Sequence, residues 1–192
     1  MRCTLPARIV ALLLMLAAAL LPARADEAAA WAALRRDAVV ALLRHAEAPG
    51  GAGDPPGWRL DDCSTQRNLS ESGRADARAI GRRLRAERIP VARVLSSPWC
   101  RCVETAGLID IGAVQREPAF SNAFVLSGQR DALAEGARRV IAAWQGPGVL
   151  LVVTHGANIQ ALTGHAPASG EMVIVRGGSG GGLSPIGTLT LR

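Results

Sequence analysis

Gly148-Val149-Leu150-Leu151-Val152-Val153-Thr154-His155-Gly156 decides the fold class. Its unbroken aliphatic run, bounded by Gly and Thr, fits a strand buried on both faces, as a parallel sheet requires. Ala38-Val39-Val40-Ala41-Leu42-Leu43 is a second such run and ends at Arg44-His45. Between the two, the apolar period changes. Gly73, Ala77, Ile80 and Leu84 predict an amphipathic helix with Ser70 as N-cap and Pro90 beyond its end. Val91–Leu95 predicts another strand, leading through Ser96-Ser97-Pro98 into a helix from about Trp99 to Ile109, since proline suits a first helical turn. Leu133, Ala137, Val140, Ile141 and Trp144 predict a helix over 131–144, and Asn158–Thr163 a short one. Glu171–Arg176 and Thr188–Leu191 read as closing strands around Gly177–Gly182, which lacks the G-x-x-x-x-G-K-[ST] pattern and reads as a flexible connection. Asp26–Asp37, Ala-rich with Trp31 and Leu34, reads as a leading helix. Alternating strands and helices predict a three-layer α/β/α sandwich with a largely parallel central sheet.

The first 25 residues stand apart. Arg2 and Arg8 precede an apolar run from Ile9 to Leu21, and Ala23-Arg24-Ala25 offers small residues at both recognition positions, the layout of a secretory signal peptide. The run is shorter than the roughly 20 residues needed to span a bilayer. We therefore expect a signal peptide over 1–25 and a single domain over 26–192, exported to the periplasm or beyond, with no stable membrane span. A chain of 192 residues, 49% hydrophobic, can bury a proper core, which excludes disorder. The formal charge of +6 comes from 22 basic residues, all Arg, against 16 acids. Without the leader and its three arginines the charge falls to +3. Only 3% of the residues are aromatic, and none cluster among the arginines, so no nucleic-acid partner is expected. With Cys3 in the leader, Cys63, Cys100 and Cys102 remain. An oxidising compartment predicts a disulfide from Cys63 to one of the other two, leaving one free thiol. Zinc is disfavoured, because Cys-x-Cys lacks the usual two-to-four-residue spacer and no His lies nearby.

Arg44-His45, Arg101 and His155 all follow predicted strand ends, where open parallel sheets bind their ligands. Two guanidinium groups and two imidazoles there would make an anion pocket, with planar donors matched to phosphate oxygens. The start of the helix after Pro98 would add backbone N–H groups. A neutral imidazole could attack phosphorus through a ring nitrogen while the cations stabilise the equatorial oxygens. No carboxylates form an obvious ligand cluster, so neither metal nor cofactor is expected. The loop Ala48–Asp62, rich in Gly and Pro, should overhang the pocket, with Trp58 the candidate for substrate selection. Arg59 and Arg67 would extend its positive rim. Arg74, Arg78, Arg82, Arg85 and Arg88 read as a solvated helix face, and His165 as incidental.

Leu43-Arg44-His45-Ala46-Glu47 resembles the opening signature of the histidine phosphatase superfamily, in the branch related to phosphoglycerate mutase. Asn68-Leu69-Ser70-Glu71-Ser72-Gly73 with Asp76-Ala77, then Ser96–Ala106, then Val153-Thr154-His155-Gly156, continue the likeness in order across most of residues 38–165. The resemblance implies that His45 becomes phosphorylated while Arg44, Arg101 and His155 hold the phosphoryl group. Ala46 stands where many members have Gly, which Ala can replace if φ is negative. Cys100 and Cys102 flank Arg101, so a disulfide there would brace it. The family's proton donors are missing. The stretch Ala119-Phe120-Ser121-Asn122 holds Asn where the mutase-like branch has Glu, and Gly156 follows His155 where the phytase-like branch has Asp. Glu171 is the first candidate donor, followed by Glu117 and Glu47, with water as the alternative. The resulting expectation is an exported phosphomonoesterase acting on a phosphorylated small molecule or envelope glycan. The alternatives are a non-catalytic phosphate-binding module or a phosphomutase.

Overall fold

The strand after residue 38 forms where the second apolar run predicts it: β1 is Val39–Arg44, with its first five residues buried. A computed structural model describes residues 26–36, 38–178 and 182–191. The expected signal peptide, Asp37 and the middle of the Gly177–Gly182 stretch lie outside them. The other strands are β2 (Val91–Ser96), β3 (Val114–Arg116), β4 (Val149–Thr154), β5 (Glu171–Gly177) and β6 (Leu183–Thr190). They form one sheet in the order β3-β2-β4-β1-β5-β6, parallel from β3 to β1 and antiparallel at β5 and β6. The helices are α1 (residues 26–36), α2 (Glu71–Ala86), α3 (Cys100–Ile109), α4 (Arg130–Ala142) and α5 (Gly156–Thr163).

Period-two alternation in the central strands sorts the core into two layers. Val39, Ala41 and Leu43 join Leu34 of α1, Ile80 and Leu84 of α2, and Ile109 of α3 on one face. Val40 and Leu42 join Ile141 of α4 and Ile159 and Leu162 of α5 on the other. The expected three-layer sandwich with a mostly parallel sheet is the observed one. No helix among the described residues is long and apolar enough to cross a membrane.

Some boundaries differ from the sequence reading. β3 was not foreseen, because Val-Gln-Arg carries no apolar pattern; it exists through pairing of Val94 with Val114. β6 starts at Leu183 rather than Thr188, drawn out by antiparallel pairing with β5. α4 stops at Ala142, and the Trp144 indole instead donates to Gly148 O at 3.2 Å. α5 begins two residues early, making His155 its N-cap.

α2 fits its pattern, with Ser70 Oγ accepting from Gly73 N at 2.9 Å. Gly73 and Gly81 are there for close approach. A Cβ at Gly73 would stand 2.2 Å from Glu47 O, and one at Gly81 2.0 Å from Ile109 O. α2 can therefore lie directly on the segment that follows His45, which Ser70 N reinforces by donating to Glu47 O at 3.1 Å. The arginine face is only partly solvated. Arg74 pairs with Glu104 at 2.6 Å, and Arg85 donates to the carbonyls of Ile109 and Asp110, pinning α2 to α3.

Candidate active site

β1 and β4 are parallel neighbours with Arg44 opposite Thr154, and His45 N donates to Thr154 O at 2.9 Å. The residues that leave the two strands therefore emerge side by side. The His45 and His155 rings lie 5.4 Å apart, centroid to centroid, edge to face, and both are buried. β2 flanks β4 on its other side, and Ser97 N donates to Val153 O at 2.8 Å before the chain turns into α3. Arg101, second residue of that helix, is fully buried, and its Nε donates to His45 Nε2 at 3.3 Å. Arg44 donates from Nη1 to Pro167 O at 2.8 Å, while its buried Nε has no partner among the described residues. An unpaired buried donor costs about 1–3 kcal/mol, a cost that a bound anion can offset. Arg44, His45, Arg101 and His155 line one cavity of about 360 Å³.

The hydrogen bonds decide which imidazole nitrogen is unprotonated. His45 Nδ1 lies 2.8 Å from Ala46 O, and a carbonyl only accepts, so Nδ1 carries the proton and Nε2 keeps its lone pair. Ala46 N donates to Thr105 Oγ1, which donates in turn to Arg101 O, tying the histidine segment to the arginine helix. Arg88 and Asp110 are the only described non-glycine residues with positive φ, so Ala46 sits without strain in place of Gly. Burial, aided by the charges of Arg101, Arg44 and Arg67, pushes the His45 pKa down to about 3 against the opposing hydrogen bond to Ala46. His155 is held well below its ordinary value, by burial first and then by His45 and the arginines. Both rings are therefore neutral at working pH. His155 Nε2 lies 2.9 Å from Ser97 Oγ and 3.5 Å from Cys102 Sγ. Among the described residues Cys102 is the free thiol, pushed up to about 12 by burial, and Cys63 pairs with Cys100.

Two helix starts border the cavity, α3 through Arg101 and α5 through Gly156 and Ala157. Cys100 N, at the start of α3, donates to Gln66 Oε1 at 3.0 Å. α5 adds its own positive end, since His155, Gly156 and Ala157 all line the cavity. Gly51, Ala52 and Gly53 of the long loop line it as well, but Trp58 does not: it stacks on Trp99, with centroids 5.1 Å apart. Arg59 is exposed and pairs with Asp61 and Asp62. Arg67 does line the cavity, anchored by donation to Gly53 O and Ala48 O. The lining thus holds three guanidinium groups and no carboxylate.

Glu171 is not brought to this cavity. One of its oxygens lies 2.7 Å from His165 Nε2, and the other accepts from Ala168 N at 2.7 Å. These contacts bracket Pro167, whose carbonyl receives Arg44, so Glu171 and His165 shape the turn behind that arginine. Glu117 caps a 3-10 turn through Ala119 N, and Glu47 accepts from Ser70 Oγ. Asn122 does reach the cavity, at the place where the mutase-like branch has its acid.

Sequence reasoning missed Asp54. Its carboxylate receives Arg101 Nη1 at 2.6 Å, Trp99 Nε1 at 2.9 Å and Arg67 N at 3.0 Å. Burial alone would raise its pKa, but these hydrogen bonds and the Arg101 charge outweigh that and hold it below its ordinary value. A lone Asp in a Gly/Pro loop carries no periodic signal that could have marked it. Among the described residues, no group of three or more His, Cys, Asp or Glu is placed to hold a metal ion.

No curated protein matches the chain by sequence. Its fold is similar to that of the protein histidine phosphatase SixA solved with tungstate, at 17% identity and TM-score 0.57, covering 79% of this chain and 96% of that one. It is also similar to a mycobacterial glucosyl-3-phosphoglycerate phosphatase, at 17% identity and TM-score 0.55, covering 80% and 96%. A phosphoserine phosphatase from Entamoeba histolytica, solved with 3-phosphoglyceric acid, matches at 14% identity and TM-score 0.57, covering 78% and 95%. Residues 40–122, which carry His45 and Arg101, match the sequence profile of the Histidine phosphatase superfamily (branch 1). Profile and fold thus agree with the strand-end chemistry: residues 40–122 are similar to the histidine phosphatase superfamily, and the whole fold is similar to that of phosphatases solved within it.

Proposed function

We propose that the protein is an exported phosphatase that hydrolyses a phosphomonoester through a phosphohistidine on His45, needing neither metal nor cofactor. The observation that carries this reading is the Nδ1–H···O contact to Ala46, which leaves a neutral Nε2 lone pair in a cavity lined by three guanidinium groups. Nε2 attacks phosphorus and the bond from phosphorus to the ester oxygen breaks. Arg44, Arg101 and His155 hold the phosphoryl oxygens as charge moves onto them, as preorganised donors do in other transfer sites. Since Glu171 is engaged elsewhere, water supplies the leaving group's proton. A second water attacks the phosphohistidine, releases phosphate and returns the lone pair to Nε2. The tungstate in SixA, a tetrahedral oxyanion, is in keeping with such a pocket.

The substrate we propose is a phosphorylated small molecule or an envelope glycan. A cavity of about 360 Å³ has room for a sugar-sized leaving group, and the half-exposed Phe124 at its lining offers that group an apolar face. The lack of a lining carboxylate disfavours substrates with an ammonium near the phosphate. The test is release of phosphate from an aryl phosphate by residues 26–192, with chelator present, for wild type and His45→Ala. Release by the wild type and loss to background in the variant are expected. Activity surviving in His45→Ala would refute the nucleophile, and tight phosphate binding without any release would mean a binding module.

A further inference from the structure

Asp54 is a buried carboxylate that the chemistry above does not use. It leaves the loop between β1 and α2, and both its side chain and that of Arg101 are wholly shielded from solvent. A guanidinium offers two edges for paired hydrogen bonds: the end, formed by Nη1 and Nη2, and the side, formed by Nε and Nη2. Asp54 occupies the end, taking Nη1 at 2.6 Å and Nη2 at 3.3 Å, and Arg67 O takes Nη1 as well. The side edge is left facing the nucleophile, with Nε 3.3 Å from His45 Nε2. Asp54 is in turn fixed by Trp99 Nε1 and Arg67 N, so the carboxylate itself cannot swing.

From this geometry we infer that Asp54 is a positioning residue: it grips the end of the Arg101 guanidinium so that the Nε/Nη2 edge meets the phosphoryl group as it transfers to His45. The inference rests on the phosphatase reading and deepens it. It has a consequence that opposes ordinary damage. Asp54 brings negative charge to a pocket for anions, so it weakens resting-state phosphate binding while it aligns the arginine for transfer. Removing the charge should therefore tighten phosphate and slow turnover.

The experiment measures kcat on aryl phosphates with good and poor leaving groups, inhibition by inorganic phosphate, and thermal melting, for wild type, Asp54→Asn and Trp99→Phe. For Asp54→Asn we expect kcat to fall roughly ten- to hundredfold, the scale of charge-assisted hydrogen bonds. The fall should be equal for both leaving groups, with phosphate inhibiting at lower concentration. Trp99→Phe removes the indole N–H together with part of a buried ring, so it should lower the melting temperature and cost roughly two- to tenfold in kcat, leaving phosphate inhibition unchanged. A loss confined to the poor leaving group would overturn the inference and make Asp54 the proton donor. Weaker phosphate binding falling in step with melting temperature would reduce Asp54 to a structural residue, and Trp99→Phe would then lose stability without the selective loss of kcat. If the wild type binds phosphate but turns over no ester, the phosphatase reading fails by itself. The Asp54 grip is then read from phosphate affinity, where no tightening in Asp54→Asn would overturn it.

Discussion

On one side of the cavity His45 and His155 leave adjacent parallel strands, and on the other Asp54, Arg67 and Gly51–Gly53 arrive on an irregular loop. The strand side is set by backbone register: six consecutive pairs from Val39 with Val149 to Arg44 with Thr154 leave little freedom in where the rings emerge. The loop side has no such ladder. It is held by the Cys63–Cys100 disulfide, the Asp54–Arg101 pair, the Arg67 bonds to Gly53 O and Ala48 O, and the Gln66 cap on Cys100 N. All of these are contacts between residues distant in sequence. The sheet thus holds a histidine pair whose place survives local change, whereas the loop side depends on each of a few polar links.

Arg101 belongs to both sides, touching His45 and Asp54, so its truncation should have the largest effect. Arg101→Ala is expected to lower kcat by about 10²–10³, the usual result of deleting a preorganised donor to the transition state. Steady-state kinetics on an aryl phosphate checks this. A loss no larger than that of Asp54→Asn would mean that the loop, not the arginine, does the aligning.

The disulfide tests the loop side alone. It closes a loop with a sequence separation of 37, for which the loss of chain-closure entropy predicts a stabilisation of about 2–4 kcal/mol. Cys63→Ser should lower the denaturation midpoint accordingly and reduce activity, because Cys100 directly precedes Arg101. Unchanged kinetics in a folded Cys63→Ser protein would show that the polar links suffice.

The strand side should dominate the response to pH. His45 has its pKa pushed from 6.5 to about 3 in the folded state, so between these values the unfolded chain binds the proton and the folded chain does not. Stability should therefore fall steadily as pH drops from about 6.5 towards 3, and be level above it. His155, lowered in the same direction, steepens the fall. Denaturant midpoints across this range for wild type and His45→Asn should show a shallower slope in the variant, and identical slopes would place the cause elsewhere. The smallest effect is expected from Glu171→Gln. Its oxygens hold His165 and the Ala168 amide behind Arg44, so kcat should fall by only a few-fold, and equally for good and poor leaving groups. A selective loss on poor leaving groups would restore Glu171 as the acid.

The same contrast explains which features could be read in advance. Val149–Val153 and Val39–Leu43 are fully apolar because both faces of their strands are covered, and that requirement is written in consecutive residues. Arg44, His45 and His155 then follow from adjacency to those strands. β3 and the early start of β6 were hidden, because they exist through pairing with a neighbour rather than through their own composition. Trp58 looked like a selecting residue and is a core partner of Trp99, since an aromatic side chain in a loop gives no sign of which way it packs. Glu171 was plausible by its place at a strand start, but the turn at 165–168 claims both its oxygens.

By itself, then, the order of residues determined a parallel-sheet sandwich and the placing of two histidines and an arginine at its strand ends, because burial on both faces and the start of a helix are local demands. The tertiary structure alone decided that Cys63 bonds Cys100, that Asp54 grips Arg101, that the start of α5 joins the cavity lining, and that His165 and the Ala168 amide claim the expected acid. Each of these depends on where a side chain meets a partner from another part of the chain, and no spacing along the chain encodes that meeting.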